Sequence, residues 1–499
     1  MLSVVVFLPV LVAGILVALP KVSDSVARWT FVGATGVDLG LVIALWIAFE
    51  PGPGVIGGFA FEQNYPWIPS VNAGYRIGVD GLSLPLVALT AGLFFACALF
   101  ALRETRRVRS FVALFLFLET ASLGLFVSLD LILFFVFFDL SIVGMYFIIA
   151  RWGHGEPQKA ALKFFLYTFI GSLVLLLGFI GLYLAAEPNT FDMVELARSR
   201  PLDGSPVLGG LALLAVGVGL AIKTPTVPFH TWLPPAHTEA PAAGSAILAG
   251  VLLKMGTYGF VRIAMPMLPE SWRQYAWVIV IVGVVSVLYG ALVALAQTNF
   301  KRMVAYTSIN HMGYILLGVG AAGLLAGSDL EARSLAVTGA VVQMVSHGLL
   351  TGAMFLLAGV MLDRGGTYDM RRYGGVAGVA PGFAALTAVA AFGGLGLPGL
   401  SGFIAEFQVF TGSLSAAPVP TALALLGILL TAALFLLALQ RIFMGELRLP
   451  VNEISDVKVS EVSAIAPLLV LSVVIGIFPR FLLDVIEPAS RMVVDLVAR

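Results

Sequence analysis

Charged residues are scarce in this chain, because Asp, Glu, Lys and Arg together make up only 11% of its 499 residues. A soluble globular protein carries about 25% charged residues. Acidic and basic side chains number 28 each, so the net charge does not point to nucleic acid or to any other charged partner. The composition therefore excludes a soluble enzyme, a nucleic-acid-binding protein and a disordered scaffold.

Cysteine is almost absent, since Cys97 is the single one in the chain. One cysteine excludes an intrachain disulfide, and it excludes an iron–sulfur cluster or a thiolate zinc site built from this chain alone. Five histidines are too few and too scattered for an array of haem ligands. No P-loop is present, and two G-x-G-x-x-G matches, at 318–323 and 394–399, lie in apolar segments without a preceding strand. We therefore predict no cofactor and no metal site in this chain.

Hydrophobic residues are abundant instead, at 60% of the chain, with a mean hydropathy of +1.02. Because a membrane-spanning helix needs about 20 apolar residues, we predict an all-α polytopic membrane protein with about 14 transmembrane helices. The longest polar stretches, 50–77 and 186–206, are predicted to be loops. The predicted helices, numbered 1 to 14, cover 2–20, 27–48, 78–102, 110–128, 131–150, 161–185, 207–229, 240–263, 274–297, 302–325, 335–361, 380–412, 419–444 and 462–484.

Two of the predicted helices contain helix-breaking sequences. Helix 7 is interrupted between Lys223 and Pro228, and helix 12 is interrupted in a glycine-rich stretch around Pro398. Non-helical backbone at membrane depth persists only where it is buried in protein or lines a wet cavity, and a pair of interrupted helices points to a transport site. The alternative is two unrelated proline kinks.

The spacing of the two breaks predicts an internal repeat. They lie five helices apart, and because five is odd, the second copy would be inverted in the membrane. We therefore predict two inverted five-helix repeats, each with a broken helix. The predicted units are 1–109 with helices 1 to 3, 110–265 with the first repeat, 266–445 with the second repeat, and 446–499 with helix 14 and the tail.

Few ionisable residues fall within the predicted spans, and each costs roughly 2.5–3.5 kcal/mol in hydrocarbon on insertion scales. Such groups persist when they pair, contact water or carry protons. About one per helix, near mid-depth, favours a chain of proton-holding sites over one metal cluster. The candidates for proton transfer are Asp139, Lys223, Lys254, His311, His347 and Glu406, with Glu119, Asp130, His230 and His237 as secondary candidates.

The predicted chemistry depends on the low local dielectric. A buried lysine loses its proton more easily and a nearby carboxylate restores its charged form, so movement of Asp139 relative to Lys223 would switch the proton affinity of the lysine. Lys254 could pass a proton through water to the histidines of helices 10 and 11, because histidine titrates near neutrality. Glu406, beside the second helix break, would be the exit site.

Structural alternatives stay open for each candidate. Asp139 and Lys223 could form a static buried ion pair, and the ammonium group of Lys254 could extend to the interface. The histidines of helices 10 and 11 could be satisfied core residues, and the two glutamates could be structural carboxyl groups. His230 and His237 flank a Pro-Pro turn and could serve that turn alone.

Several longer stretches resemble a known family. The segment 223–245 reads KTPTVPFHTWLPPAHTEAPAAGS and is similar to the signature of the antiporter-like membrane subunits of respiratory complex I. It continues into LLKMGTYG at 252–259. GVDGLS at 78–83, FKRMVAYTS at 300–308 and HMG at 311–313 match as well. The resemblance extends from about residue 65 to residue 480.

Two positions distinguish this chain within the family that it resembles. The L-type, N-type and Mrp antiporter subunits usually carry lysine at one position of helix 12, whereas the M-type, or chain 4, carries glutamate. This chain has glutamate at that position, Glu406. The family's helix 5 usually reads F-E-x-x-L-x-P. This chain has Asp139 in place of the glutamate and Gly144 in place of the proline, so the carboxylate is one methylene shorter.

The resemblance implies a proton-translocating membrane subunit of complex I, the H⁺-translocating NADH:quinone oxidoreductase, with no redox cofactor of its own. It implies L-, N-, K-, A-, J- and H-type membrane subunits, the lipid bilayer, protons and water as partners, and no nucleic acid. It also implies the bacterial inner membrane as the location. The alternatives are an Mrp-type cation/proton antiporter subunit, an equivalent subunit of a photosynthetic NDH or related complex with another electron donor, and a structural membrane spacer.

The loop charges predict the orientation of the chain. We count 17 basic residues in loops after odd-numbered helices and 9 in loops after even-numbered helices and in the C-terminal tail. The positive-inside rule then places the odd loops in the cytoplasm and both termini on the outer, periplasmic side. Reporter fusions in the loop 103–109 should give a cytoplasmic signal, with a fusion in the loop 186–206 as the opposite-side control. An external 103–109 loop would overturn this orientation.

Overall fold

A computed structural model describes residues 1–19, 21–50, 59–326, 329–448 and 455–498. Three parts of the predicted elements lie outside these described residues. They are Pro20 at the end of predicted helix 1, residues 51–58 of the predicted loop 50–77, and residues 449–454 and 499 of the predicted unit 446–499.

Helices dominate the described part of the chain, which confirms the predicted fold class. Short 3₁₀ turns cover Pro69–Val71, Ala101–Arg103, Met370–Arg372 and Val376–Gly378. The helices are α1 (Leu2–Ala18), α2 (Asp24–Ala48), α3 (Leu84–Phe100), α4 (Val108–Val127), α5 (Leu131–Trp152), α6 (Pro157–Ala185), α7 (Met193–Ser199), α8 (Pro206–Lys223), α9 (Leu233–Glu239), α10 (Ala242–Met267), α11 (Pro269–Leu295), α12 (Phe300–Ala321), α13 (Leu330–Gly365), α14 (Pro381–Gly394), α15 (Ser401–Leu414), α16 (Pro418–Phe443), α17 (Val459–Ile477) and α18 (Arg480–Ala498).

Eleven helices within the described ranges are long and apolar enough to cross a membrane. They are α2 to α6, α8, α10, α11, α13, α16 and α17, so the chain is an integral membrane protein. The predicted count of 14 is not confirmed, because three predicted spans are atypical. Helix α1 has only 17 residues, predicted helix 12 is divided into α14 and α15, and α12 carries buried polar residues such as Asn310 and His311.

Both predicted helix breaks are confirmed. Helix α8 ends at Lys223, and the chain turns through two prolines before α9 begins at Leu233. Helix α14 ends at Gly394, and α15 begins at Ser401 after a glycine-rich turn. Proline and glycine explain these ends, because proline cannot continue the backbone hydrogen bonds and glycine permits positive φ angles. Each break leaves free backbone carbonyl groups inside the protein.

A β-hairpin replaces part of the loop predicted at 50–77. Strands β1 (Ala60–Ile68) and β2 (Ala73–Val79) pair in antiparallel register, with Tyr65 opposite Tyr75 and their rings stacked at 6.5 Å. Asn72 adopts the left-handed conformation that closes the turn, which asparagine tolerates better than most residues. The predicted start of helix 3 at residue 78 is therefore wrong, because β2 continues to Val79 and α3 begins at Leu84.

The C-terminal end also differs from the prediction. A single helix was predicted over 462–484, but α17 ends at Ile477 and α18 starts at Arg480. Pro479 explains the division, because a proline restricts the preceding residue to non-helical backbone. Helix α18 is amphipathic and buries residues such as Leu482 and Ile486 against α13 and its neighbours.

The loops gather on two opposite faces of the helix bundle. On one face, the Arg103 guanidinium lies 2.5 Å from Asp363 and 2.8 Å from Glu461, and Arg364 donates two 2.6 Å bonds to Glu461. We call this the basic face and define it by Arg103, Arg106, Asp363, Arg364 and Glu461. It joins the predicted loops after helices 3, 11 and 13, so these three odd-numbered loops lie together, while the orientation of the chain in the membrane stays a prediction.

The opposite face carries the hairpin and the N-terminus of α5. Backbone bridges join Ile77 to Ser128 and Asp130 to Asp192 there, so the predicted loops after helices 2, 4 and 6 meet on this face. We call it the hairpin face. The predicted loop 186–206 includes the short helix α7, which Asp192 caps by accepting hydrogen bonds from Val194 and Glu195.

Candidate functional site

Lys254 is fully buried in the middle of α10, next to a π-helical segment over Leu248–Leu252. Its Nζ lies 2.5 Å from the carbonyl oxygen of Ala249 and 2.5 Å from Nδ1 of His347 on α13. A π-segment widens the helix by one residue per turn, and such segments frequently mark functional sites. Lysine has only donors when charged, so His347 Nδ1 accepts a hydrogen bond from Lys254 whenever the lysine is protonated.

The next contact runs from His347 to His311 on α12. The two ring centroids are 5.3 Å apart and the planes are inclined by 65°. His311 Nε2 lies 3.0 Å from the carbonyl oxygen of Gly394, the last residue of α14. A carbonyl oxygen can only accept, so His311 Nε2 carries a hydrogen in this arrangement. The break after α14 therefore supplies the group that orients His311.

Glu406 on α15 lies at the end of this series. Its Oε1 is 4.0 Å from His311 Nε2, and its side chain is almost fully buried. Gly396, in the turn between α14 and α15, has a φ of +77°, and a Cβ there would lie 2.4 Å from Glu406 Oε2. Any other residue at 396 would therefore displace this carboxylate and strain the backbone.

Four predicted candidates thus form one continuous row inside the protein. We call Lys254, His347, His311 and Glu406 the central row. Each member either contacts the next or lies within a few ångströms of it. Because each histidine has two ring nitrogens that can exchange roles as donor and acceptor, such a row can pass a proton from one end to the other with small rotations.

Lys223 lies outside the central row, at the end of α8. Its buried Nζ donates a 3.0 Å hydrogen bond to Ser141 Oγ and lies 4.5 Å from the centre of the Phe138 ring. A ring face stabilises a buried cation. Phe138 and Ser141 are three residues apart on α5, so one side of that helix holds the lysine.

Asp139 makes no ion-pair contact with Lys223 in the described structure, where the lysine is held by Ser141 and Phe138 instead. It follows Phe138 by one residue and so points about 100° away around α5. Its side chain is partly exposed, and its Oδ1 has no hydrogen-bond partner in the described part of the chain. A static contact ion pair is thus wrong for this structure, which shows the two groups apart. A switching role for Asp139 stays a prediction.

Asp130 is engaged in backbone structure. Its Oδ1 caps α5 by accepting hydrogen bonds from Ile132 and Leu133, and its Oδ2 accepts from the Gly74 amide and the Arg76 guanidinium. Every lone pair that faces the protein is in use, as in an ordinary N-cap. A role for Asp130 in proton transfer stays a prediction.

The two histidines of the turn around α9 differ in their surroundings. His230 packs edge-on against the Tyr289 ring at 4.8 Å. His237 is fully buried, stacks on the Phe355 ring at 4.5 Å, and has no hydrogen-bond partner on either ring nitrogen within the described residues. Buried polar atoms are ordinarily bonded to protein or ordered water. His237 is therefore the stronger of these two candidates.

Beside Glu119 lies Asp38, a buried carboxylate that was not selected from the sequence. Glu119 is fully buried on α4, and Asp38 is fully buried on the neighbouring helix α2. None of the four carboxylate oxygens has a hydrogen-bond partner among the described residues. Asp38 lies in the middle of predicted helix 2, so the rule that selected the other ionisable residues within the spans should have selected it too.

Two further residues were also missed. Ser141 holds Lys223, but a serine in an apolar helix gives no signal in the sequence. Lys301 was counted with the basic loop residues, yet it is fully buried in α12. Its Nζ contacts the carbonyl oxygen of Ala240, the residue that ends α9. It was not selected because it stands just before predicted helix 10, where a lysine resembles a loop residue.

Within the described ranges, no group of three or more His, Cys, Asp and Glu residues could hold a metal ion. The expectation that this chain carries no redox cofactor stays a prediction. The arrangement itself offers acid–base chemistry, because its buried polar groups are lysine, histidine and carboxyl side chains.

The interrupted helices and the central row together define an antiporter-like helical membrane protein. Residues 128–440 match the family described as NADH:quinone oxidoreductase/Mrp antiporter, TM. The chain belongs to this family.

Individual relatives are similar over the whole length. Subunit M of the NADH-quinone oxidoreductase of Rhodobacter capsulatus is 36% identical over 510 residues, which cover 99% of this chain and 96% of the relative. A chain in the structure of respiratory complex I from Thermus thermophilus with bound NADH has a TM-score of 0.89 and 31% identity, over 100% of both chains. A chain of the Mrp complex from Dietzia sp. DQ12-45-1b has a TM-score of 0.86 at 21% identity, over 100% of this chain and 99% of that chain, which shows a common fold.

The position of Gly396 beside Glu406 gives a prediction, and Gly399 in the same turn provides its control. Gly396 and Gly399 have φ angles of +77° and +93°, so alanine strains either position, by about 1–2 kcal/mol. Only at 396 does the added Cβ meet Glu406, because a Cβ at 399 meets nothing within 4 Å. We expect Gly396→Ala to lower proton transport by vesicles containing the chain with its native partners, well below Gly399→Ala. Equal effects of the two variants would show that backbone strain alone is responsible.

Proposed function

We propose that this chain is a proton-translocating membrane subunit of a complex-I-type quinone oxidoreductase. In this proposal, quinone reduction in partner subunits drives protons through the buried ionisable residues of this chain. The enzymatic activity then belongs to the assembly, and this chain contributes Lys223, the central row and their helices. The observation that carries the proposal is the central row, which links α10, α13, α12 and α15 through contacts between titratable side chains.

The proposed partners are the other membrane subunits of such a complex, of the L-, N-, K-, A-, J- and H-types, with no nucleic acid. Support comes from the relative in Rhodobacter capsulatus and from the structural neighbour, which is a chain of a whole respiratory complex. We propose the bacterial inner membrane as the location, with the basic face in the cytoplasm. The excess of basic residues in the odd loops supports that orientation.

An Mrp-type cation/proton antiporter subunit is the second candidate, because the Dietzia chain has nearly the same fold. Two observations favour the quinone-linked function. Glu406 stands where the resemblance gives lysine for Mrp subunits, and the identity is 31% to the complex I chain but 21% to the Mrp chain. A subunit of a related complex with another electron donor would use the same buried residues.

The proposal separates proton transport from electron transfer. Lys223→Ala and Glu406→Ala should each suppress quinone-linked proton pumping, because they remove the buried lysine of the first broken helix and the carboxylate at the second. Electron transfer from the donor to an artificial acceptor should stay near the parent rate in the assembled complex. Proton uptake and electron transfer are measured on the same vesicles at equal complex content.

A matched control is Glu156→Gln, which removes one partner of the exposed Glu156–Lys159 ion pair, outside the buried network. Such exposed pairs contribute about 0–1 kcal/mol, so this variant should behave like the parent. Equal loss of pumping and artificial-acceptor activity in the Lys223 and Glu406 variants, with assembly intact, would contradict the proposed function.

A further inference from the structure

A cavity of about 360 Å³ opens on the basic face, between the ends of α3, α5, α13 and α17. Most of its wall is polar or charged, so it is suited to water rather than to an apolar ligand. Its floor reaches the turn between α9 and α10. Its lining includes Arg103, Arg106, His154, Pro241, Tyr368 and Glu461.

Lys301 lies directly beneath this floor. It is fully buried at the start of α12, its Nζ contacts the carbonyl oxygen of Ala240, and the Tyr368 ring centre lies 5.2 Å from Nζ. Tyr368 and Pro241, the neighbour of Ala240, both line the cavity. The lysine is therefore separated from the cavity by one layer of residues. The Tyr368 hydroxyl, in that layer, is buried without a hydrogen-bond partner among the described residues.

His237 is a second fully buried titratable side chain near the end of α9. It stands on the last turn of α9, which ends at the carbonyl group that Lys301 contacts. Ala240 follows His237 by three residues, so the imidazole and the Lys301 amine both belong to the surroundings of the same helix end. Both ring nitrogens of His237 are buried and lack partners within the described residues, so they can bind water on either side.

One side of α13 leads from the position of His237 to the central row. His237 stacks on Phe355, which follows Thr351 by four residues, and Thr351 follows His347 by four. Residues at this spacing lie along one side of a helix. Eight residues correspond to about 12 Å, a distance that one or two water molecules and the buried Thr351 hydroxyl can span. His347 Nε2, which faces away from Lys254, has no hydrogen-bond partner in the described part of the chain.

We propose that the cavity on the basic face is where protons enter this chain, and that Lys301 transfers them from cavity water to His237 and the central row. In each passage, the neutral Lys301 amine takes a proton that comes from a hydronium ion of the cavity water through the layer that contains the Tyr368 hydroxyl, which leaves a water molecule in the cavity. The resulting ammonium group then releases one proton to a ring nitrogen of His237. In the first transfer an O–H bond breaks and an N–H bond forms on the lysine, and in the second that N–H bond is exchanged for one on the imidazole, so the lysine returns to its starting state. This inference rests on the proposed function, since it names the uptake route for the same central row.

A structural role for Lys301 is the competing explanation. A cation at a helix C-terminus is stabilised by the helix dipole, and Lys301 lies at the end of α9. Glu239, on the same turn, accepts a 3.0 Å hydrogen bond from the Glu156 amide. Under this explanation the charge of residue 301 matters and its ability to release a proton does not.

Substitutions at 301 separate the two explanations. In the assembled complex, Lys301→Arg keeps the charge but cannot release a proton, whereas Lys301→His keeps a titratable group. We expect the Arg and Gln variants to lose as much proton pumping per electron as Glu406→Ala measured in parallel, and the His variant to keep most of it. The control is Arg302→Gln, the exposed neighbour on the same helix, which should pump like the parent.

Pumping by Lys301→Arg at the parent level would overturn the inference, and Lys301 would then only stabilise the C-terminal end of α9. If the variants at 301 fail to assemble, His237→Gln decides the question, because the ring makes no hydrogen bond to the described residues that the substitution would break. Parent-level pumping by His237→Gln would likewise overturn the route. If Glu406→Ala itself pumps like the parent, the proposed function fails. If Glu406→Ala loses pumping while Lys301→Arg pumps normally, only the uptake route is contradicted.

Discussion

The 2.5 Å contact between Lys254 and His347 is the interaction on which the rest of the structure depends. Neither side chain can be ionised cheaply inside a helix bundle in a membrane. The contact places two titratable nitrogens within hydrogen-bonding distance of each other, and the Ala249 carbonyl at the π-segment of α10 supplies an acceptor for the lysine. The surrounding helices give this pair of side chains polar neighbours on both sides.

The helix breaks provide those neighbours. Where α14 stops, the Gly394 carbonyl is free to orient His311, and Gly396 leaves the space in which the Glu406 carboxylate lies. Where α8 stops, Lys223 is held by a serine hydroxyl and a phenylalanine ring, and Asp139 stays out of contact. An unbroken helix at either position would hide its carbonyl groups in hydrogen bonds and close the site. Irregular backbone is costly in a membrane, and here each irregular segment positions a titratable side chain.

Much of this arrangement could be predicted from the sequence, because ionisable residues in apolar segments stand out individually. Lys254, His311, His347 and Glu406 were found in that way, and proline and glycine marked both breaks. Contacts between helices could not be predicted, since neither the separation of Asp139 from Lys223 nor the direct Lys254–His347 contact follows from spacing. The hairpin at 60–79 was not predicted because its strands, of 9 and 7 residues, mix polar, proline and glycine residues with apolar ones and show no regular alternation. Lys301 was not selected because a lysine at a helix start resembles a loop residue.

The central claim is that Lys254, His347, His311 and Glu406 act in series, and a double-mutant comparison tests it most directly. The protons pumped per electron are measured for complexes carrying His347→Gln, Glu406→Ala, and both substitutions, at equal assembly. If the four residues form one route, either substitution interrupts it, and the double variant pumps no less than the more impaired single variant. Parent-level pumping by His347→Gln, or losses that add in the double variant, would contradict a single row.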